Sequence, residues 1–411
     1  MLTVDAALQQ ILAHVAILEA EAKPLLGALG YVLAEDLRAE FSIPPHDNAA
    51  MDGFAVRAAD VQSATPAAPV SLRVVGEVPA GSDPTLTVIP RTAARIMTGA
   101  KMPAGADSVV RFEETTEVDS QPALRDRVGI KVPVRAGDNV RRAGEDVTCG
   151  TVVLDAGTEL RPAEIGVIAS LGIGTVRVVR KPRVAVLSTG DELLTPGQPL
   201  VPGKIYDANT YSVSAMVLRY GGVPIPLGIA ADNRTDLTER IRAGRDCDLF
   251  ISSAGVSIGD YDIVKEALAA EGEIGFWQVA IKPGKPLAFG RIGAIPYVGL
   301  PGNPVASLVA FEQFVRPAIL TMQGKRRTRK PEVQARLVGE AGNRDGRRCF
   351  LRVAVTRDEV GYVATLTGPQ GSGILTSMTA ANGLLVIPED VAEVRTGDLV
   401  RIQMLDWPEV D

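Results

Sequence analysis

The chain is short of aromatic residues, histidine and cysteine, and each shortage narrows what it can be. Phe, Trp and Tyr make up 4% of its 411 residues, so its cores must be filled by Val, Ile, Leu and Ala. Two histidines, His14 and His46, leave a histidine triad or a multi-histidine metal centre without its members. Ionisable chemistry must therefore come from Asp, Glu, Lys and Arg. Cys149, Cys247 and Cys349 are widely separated and lack CxxC spacing, which argues against a zinc site and a disulfide framework. No apolar run looks long enough to span a bilayer, and the N-terminal MLTVDAALQQ lacks a signal-peptide pattern. No membrane association and a cytoplasmic location are expected. Neither GxxxxGK[ST] nor GxGxxG occurs, which weakens P-loop and dinucleotide-binding readings. A net charge of −6 disfavours a surface that coats nucleic acid, while leaving room for a local basic pocket.

A chain of this length calls for about two to four domains. VDAALQQILAHVAIL, residues 4–18, predicts a helix with Thr3 as N-cap, and a short helix is expected near 23–29, stopping at Gly30. From about 57 to 140, short β-rich runs separated by Pro and Gly read as a separate, mostly β module. RPAEIGVIASLG predicts a helix with Pro162 at its start and Gly172 at its end. Strand and helix patterns then alternate: VAVLST, ANTYSVSAMVLRYGG, VPIPLGIA, DLTERIRAG, DLFISSAG, IVKEALAAEG, IGFWQVAI, PLAFG, IPYVG and a helix over 304–322. That order predicts a mostly parallel sheet covered on both faces. KRRTRK, residues 325–330, reads as a linker or a solvated helix end, and 331–411 as a small β domain.

Polar sequence gathers where the expected strands end, which is where open parallel sheets bind ligands. STGDEL follows VAVL, Asp232 follows IPLGIA, SAGVSIGDYD with Asp260 and Asp262 follows DLFIS, and LPGNPVAS follows YVG. IKPGKP follows WQVA and sets Lys282 and Lys285 three residues apart, each before a proline that restricts it to extended backbone. That is a plausible clamp for a multiply charged anion, or equally a proline-rich turn whose lysines keep a loop soluble. The other segments can likewise be ordinary turns and helix caps. Taken together on one rim, carboxylates that can hold Mg²⁺ and cations that can hold phosphate describe a phosphate-plus-Mg²⁺ site.

STGDEL, YDAN, SSAGVSIGDYD, IKPGKP and GLPGNPVAS occur here in the order found in the molybdopterin molybdenumtransferases, which this chain resembles over nearly its whole length. PPHDNAAMDGFA, RIMTGA, PAGADSVVRFEE and NVRRAGED resemble the family's N-terminal motifs, and GSGILTSMTAANGLLVIP its C-terminal domain. The resemblance implies a multidomain α/β plus β fold. N-terminal helix and stem segments would span 1–50 and 140–178, and an inserted β-rich domain 51–139. A three-layer α/β/α molybdopterin-binding domain would cover 179–326, and a small β domain 327–411. It also implies an elongated homodimer that turns molybdate and adenylylated molybdopterin into molybdenum cofactor and AMP with Mg²⁺. Contact with the adenylyltransferase and with molybdoenzyme acceptors is left open, and nucleic acid is not a partner.

By the same resemblance, Glu192, Asp232 and Asp262 are the acids that would hold Mg²⁺, and Lys282 and Lys285 would offset charge on the phosphoanhydride or molybdate. Asp52 and Thr98 would approach the nucleotide domain of the other subunit. Ser188, Thr189, Gly190, Ser252, Gly255 and Ser257 would border the bound pterin nucleotide. Pro301, Gly302 and Asn303 would shape its pterin-phosphate end, with Ser372 and Ser377 at the pocket edge. The chain departs from the family pattern at Gln278, where a cation is usual, and at Ala254, where glycine is usual. It departs again at His46, Ala49 and Asn233. Two other readings are a molybdopterin adenylyltransferase, whose single domain resembles residues 183–323, and a non-catalytic gephyrin-like scaffold.

Overall fold

The computed structural model describes residues 1–117, 126–231, 233–254 and 272–407, the side chain of Phe276 excepted. A six-stranded sheet forms its centre, in the order Val223–Ala230, Arg183–Thr189, Leu249–Ser253, Ile295–Leu300, Pro286–Ile292, Gly272–Gln278. The first four strands run parallel, and the last two pair antiparallel. Alternation along Arg183–Thr189 sorts side chains to two faces. Val184 and Val186 pack with Val213 and Val217 of helix Asn209–Arg219 and with Val305 and Val309, whereas Ala185 and Leu187 pack with Leu237 and Ile241 of helix Arg234–Ala243. The result is a three-layer α/β/α unit. The helix expected from IVKEALAAEG lies outside the described residues.

Helical segment Pro304–Met322 is long and apolar enough by length and composition to cross a membrane, which differs from the expectation of no such run. Since 89% of its apolar window is buried inside the protein, it is a core helix. Pro317 has no N–H to offer the carbonyl four residues back, and the ladder widens into a π turn at Phe311–Val315. Helix Val4–Leu12 has Thr3 as its cap but ends earlier than the periodicity predicts. Beyond it the chain is no longer helical: Leu18 N–H donates to Met322 O at 2.9 Å, and Val15 and Leu18 pack on the core. Tertiary contact overrides helical spacing there. The short helix expected near 23–29 is strand Ala20–Pro24 followed by the 3₁₀ turn Leu25–Ala28, with Gly30 at φ +78°.

Segments on either side of residues 51–139 pair with each other. Thr175–Val179 lies between Ala20–Pro24 and Val32–Leu33, and Val152–Leu154 pairs with Leu37–Arg38. Between them sits a five-stranded sheet built on Gly53–Val56, Val70–Val78, Thr92–Ile96, Ser108–Arg111 and Arg127–Ile130. At the C-terminal end, strands Glu332–Val338, Arg348–Arg357, Tyr362–Leu366, Gly383–Ile387 and Leu399–Met404 close on themselves as a small barrel. KRRTRK joins these parts and is not a solvated end. Lys325 Nζ lies 2.6 Å from Glu159, Arg326 donates to Ala156 O, and buried Lys330 lies 3.1 Å from Glu312 and donates to Tyr220 Oη.

Candidate functional site

A cavity of about 1110 Å³ lies where the carboxyl ends of the parallel strands face the barrel. Thr189, Ser253 and Leu300 end three neighbouring strands, and the loops after them form one wall. Asn209 knits that wall together: its Nδ2 donates to Ser253 Oγ at 2.6 Å and to Gly302 O at 2.7 Å. Glu192 lines the cavity and folds back on Gly190, where a Cβ would come within 2.4 Å of its Oε2. Gly190 has φ +140°, so only glycine suits that turn. Pro301, Gly302 and Asn303 also line the wall. At the start of the following helix, Val305 N–H donates across the crevice to Ser372 O at 3.0 Å, so this group is not free for a ligand.

The IKPGKP stretch answers to two sheets at once. Ile281–Lys282 pairs in parallel with Arg348 and Cys349 and adds an edge strand to the barrel. After three intervening residues, Pro286–Ile292 is already part of the central sheet. Gly284, at φ +106°, lets the chain cross between them. Lys282 and Lys285 both line the cavity, but their surroundings differ. Lys282 Nζ lies 3.4 Å from Asp345, whereas Lys285 is exposed and has no ion pair among the described residues.

Facing the rim, the barrel contributes Arg347, Arg352, Gln370 and Ser372. Arg352 is completely buried. Its Nε donates to Ser377 Oγ at 3.0 Å and its Nη2 to Gly371 O at 3.0 Å, while Nη1 has no hydrogen-bond partner. Burial pushes its pKa down, and no carboxylate pairs with it among the described residues. An uncompensated buried cation is costly and favours an anionic ligand nearby. Ser377 accepts from Arg352 and so holds it in place rather than lining the cavity.

Other expected site residues lie elsewhere. Ser188 bonds Asp207 and Thr210 in the interior, and Ser252 bonds Tyr297 Oη at 2.6 Å. Asp52 and Thr98 meet in the inserted β sheet, where Asp52 Oδ1 accepts from Thr98 N at 2.6 Å and Oγ1 at 2.8 Å. The Thr98 backbone N–H beside it holds the Asp52 carboxyl below its usual range. Neither lines this cavity. Asp232, Gly255, Ser257, Asp260 and Asp262 lie outside the described residues. Among the described residues, no three His, Cys, Asp or Glu side chains are grouped to hold a metal ion. Sequence reasoning passed over Arg347 and Arg352. An arginine in the middle of the apolar run CFLRVAV was the available signal.

Three family models together span most of the chain: the MoeA N-terminal region (domains I and II) over residues 2–172, a probable molybdopterin binding domain over 185–321, and the MoeA C-terminal region (domain IV) over 335–405. Molybdopterin molybdenumtransferase 2 of Mycobacterium tuberculosis is 42% identical over 387 residues, 92% of this chain and 93% of that one. Molybdopterin molybdenumtransferase of Haemophilus influenzae is 36% identical over 98% of both chains. The crystal structure of the molybdopterin biosynthesis MoeA protein from Pyrococcus horikoshii OT3 superposes with a TM-score of 0.83 at 32% identity, covering 98% of this chain and all of that one. With its motifs in order, its fold shared and its length matched, this chain belongs to the molybdopterin molybdenumtransferase family of transferase enzymes.

Proposed function

We propose that this protein inserts molybdenum from molybdate into adenylylated molybdopterin, giving molybdenum cofactor and AMP in a Mg²⁺-dependent reaction, as a cytoplasmic homodimer. The observation that supports the reading best is a single cavity where two lysines and two arginines meet three acids, Glu192, Asp207 and Glu340. Substrate and molybdate are both anionic, and the cavity has the size of a nucleotide-linked heterocycle rather than of a lone oxyanion. Lys285 and Lys282 would steady charge on the phosphoanhydride as its P–O bond to the adenylyl group breaks. Arg352, held by Ser377, would face the incoming dianion from the opposite side. Asn303 and Gly302 would hold the pterin-phosphate end.

Mg²⁺ usually keeps several waters and takes one or two carboxylates along with substrate phosphates, and Glu192 at the rim fits that mode. By resemblance, Asp232 and Asp262 would join Glu192 in holding it, and it would neutralise phosphoanhydride oxygens. By the same resemblance, Asp52 and Thr98 would act on the cavity of the partner subunit. The test is release of AMP from adenylylated molybdopterin by purified protein. Release that requires both molybdate and Mg²⁺ is expected. Adenylylated product accumulating from molybdopterin and ATP would favour the adenylyltransferase reading. No turnover in either assay would sink both.

A further inference from the structure

Asp345 stands where a ligand of this cavity would compete with it. Its Oδ2 lies 3.4 Å from Lys282 Nζ on the edge strand and accepts a short hydrogen bond from Arg347 Nη2 on the barrel. Both cations line the cavity, yet Asp345 does not. It sits in the turn between Ala341–Gly342 and Arg348–Arg357 and touches these two cations from outside the lining. The Arg347 hydrogen bond first, and Lys282 second, hold its carboxyl below the usual range, so it is charged at neutral pH. Side chains of Lys282 and Asp345 are 43% and 41% exposed, so the pair is weak and readily exchanged. Arg347 keeps a second anchor, donating to Ile281 O at 3.2 Å, and stays in place without the carboxylate.

We infer that Asp345 is a resident counter-ion that neutralises Lys282 and Arg347 in the empty cavity and gives them up when a tetrahedral dianion arrives. The inference rests on the anion-handling reading above and assigns Asp345 a positioning and tuning role rather than a catalytic one. The dianion has two sources, free molybdate or the phosphate monoester end of the pterin. In either case, a carboxylate on the same cations lowers ligand affinity, because it both competes and repels.

The test is calorimetric titration of the full-length protein with molybdate and, separately, with glycerol 3-phosphate, at low and at physiological ionic strength. Asp345→Asn should bind at least one probe on the order of tenfold more tightly at low salt, with the gain shrinking as salt rises. Asp345→Glu should behave like the wild type. Tightening with molybdate alone points to the free oxyanion, and tightening with both probes to a shared phosphate seat. Unchanged or weaker binding by Asp345→Asn, or no binding of either probe to any form, overturns the inference. AMP release measured on the same wild-type preparation reports on the proposed function independently.

Discussion

The rim of the central sheet presents its polar groups from loops at strand ends, whereas the barrel presents Arg352 from the middle of a strand. Lys285 on the rim is exposed and carries no ion pair among the described residues, while Arg352 is fully buried and held through Ser377 and Gly371. One wall can follow a ligand as it changes charge, and the other keeps a fixed position. Lys282 belongs to both, since its strand is stitched to the barrel while its sequence neighbours enter the central sheet. The proposed reaction, which would part a nucleotide from a pterin and admit an oxyanion, would have use for both kinds of wall.

Removing the exposed cation is the sharpest way to break this comparison. Lys285→Ala should lower molybdate-dependent AMP release by about a thousandfold, the upper range for one electrostatic group aimed at developing charge. Its exposure should leave far-UV circular dichroism and native mass unchanged. Release within a few-fold of wild type would move the charge handling to the barrel.

Arg352→Met tests the fixed wall, with a loss of about a hundredfold in single-turnover AMP release. Arg352→Lys should not restore it, because an ammonium cannot reach Ser377 and Gly371 in the arginine's forked geometry. Recovery by lysine would show that the wall supplies charge without orientation.

The same contrast explains what could be read in advance. Strand-end motifs announce themselves because glycine, proline and carboxylates interrupt apolar runs, and Thr189, Glu192, Lys285 and Asn303 all border the cavity. The alternation of strands and helices and a mostly parallel central sheet followed from the periodicities, whereas the order of strands within that sheet did not. Arg352 gave no comparable warning. Between Leu351 and Val353, which fill the barrel, it lies with Phe350 on the strand's other face, and that face reads as solvent-facing until the 369–377 segment closes over it. Closure is a property of distant segments, which local spacing does not carry. For the same reason the helix expected over 4–18 stops at Leu12, and Leu18 bonds Met322 instead.

The stem offers a milder perturbation that spares both walls. Glu164 opens helix Pro162–Ser170, and the Arg161 side chain bonded to it holds its pKa at about 2, below the ordinary 4.5. A depressed carboxylate stabilises the fold above its unfolded pKa and loses that contribution as pH falls through its folded one. Urea midpoints should therefore decline between about pH 4.5 and about 2, less steeply in Glu164→Gln. Equal slopes would place the acid sensitivity elsewhere.

The smallest effect concerns Ala254, which follows strand Leu249–Ser253 at φ +74°, a conformation that favours glycine. A left-handed backbone costs a residue with a Cβ about 1–2 kcal/mol. Glycine returns that, but its freer unfolded chain takes back about 0.4–1 kcal/mol. The first quantity is larger, so Ala254→Gly should stabilise by about 0.5–1 kcal/mol, read as a higher urea midpoint at constant slope. The Ala254 Cβ would lie 3.4 Å from a Cβ built on Gly302, so its removal opens space beside the 301–303 turn. If the rim is the adaptable wall, that slack should leave AMP release within about twofold of the wild type while stability rises. A large loss of release would show that the rim is as closely fitted as the barrel, and the contrast between the two walls would fail at the point where the strands meet the ligand.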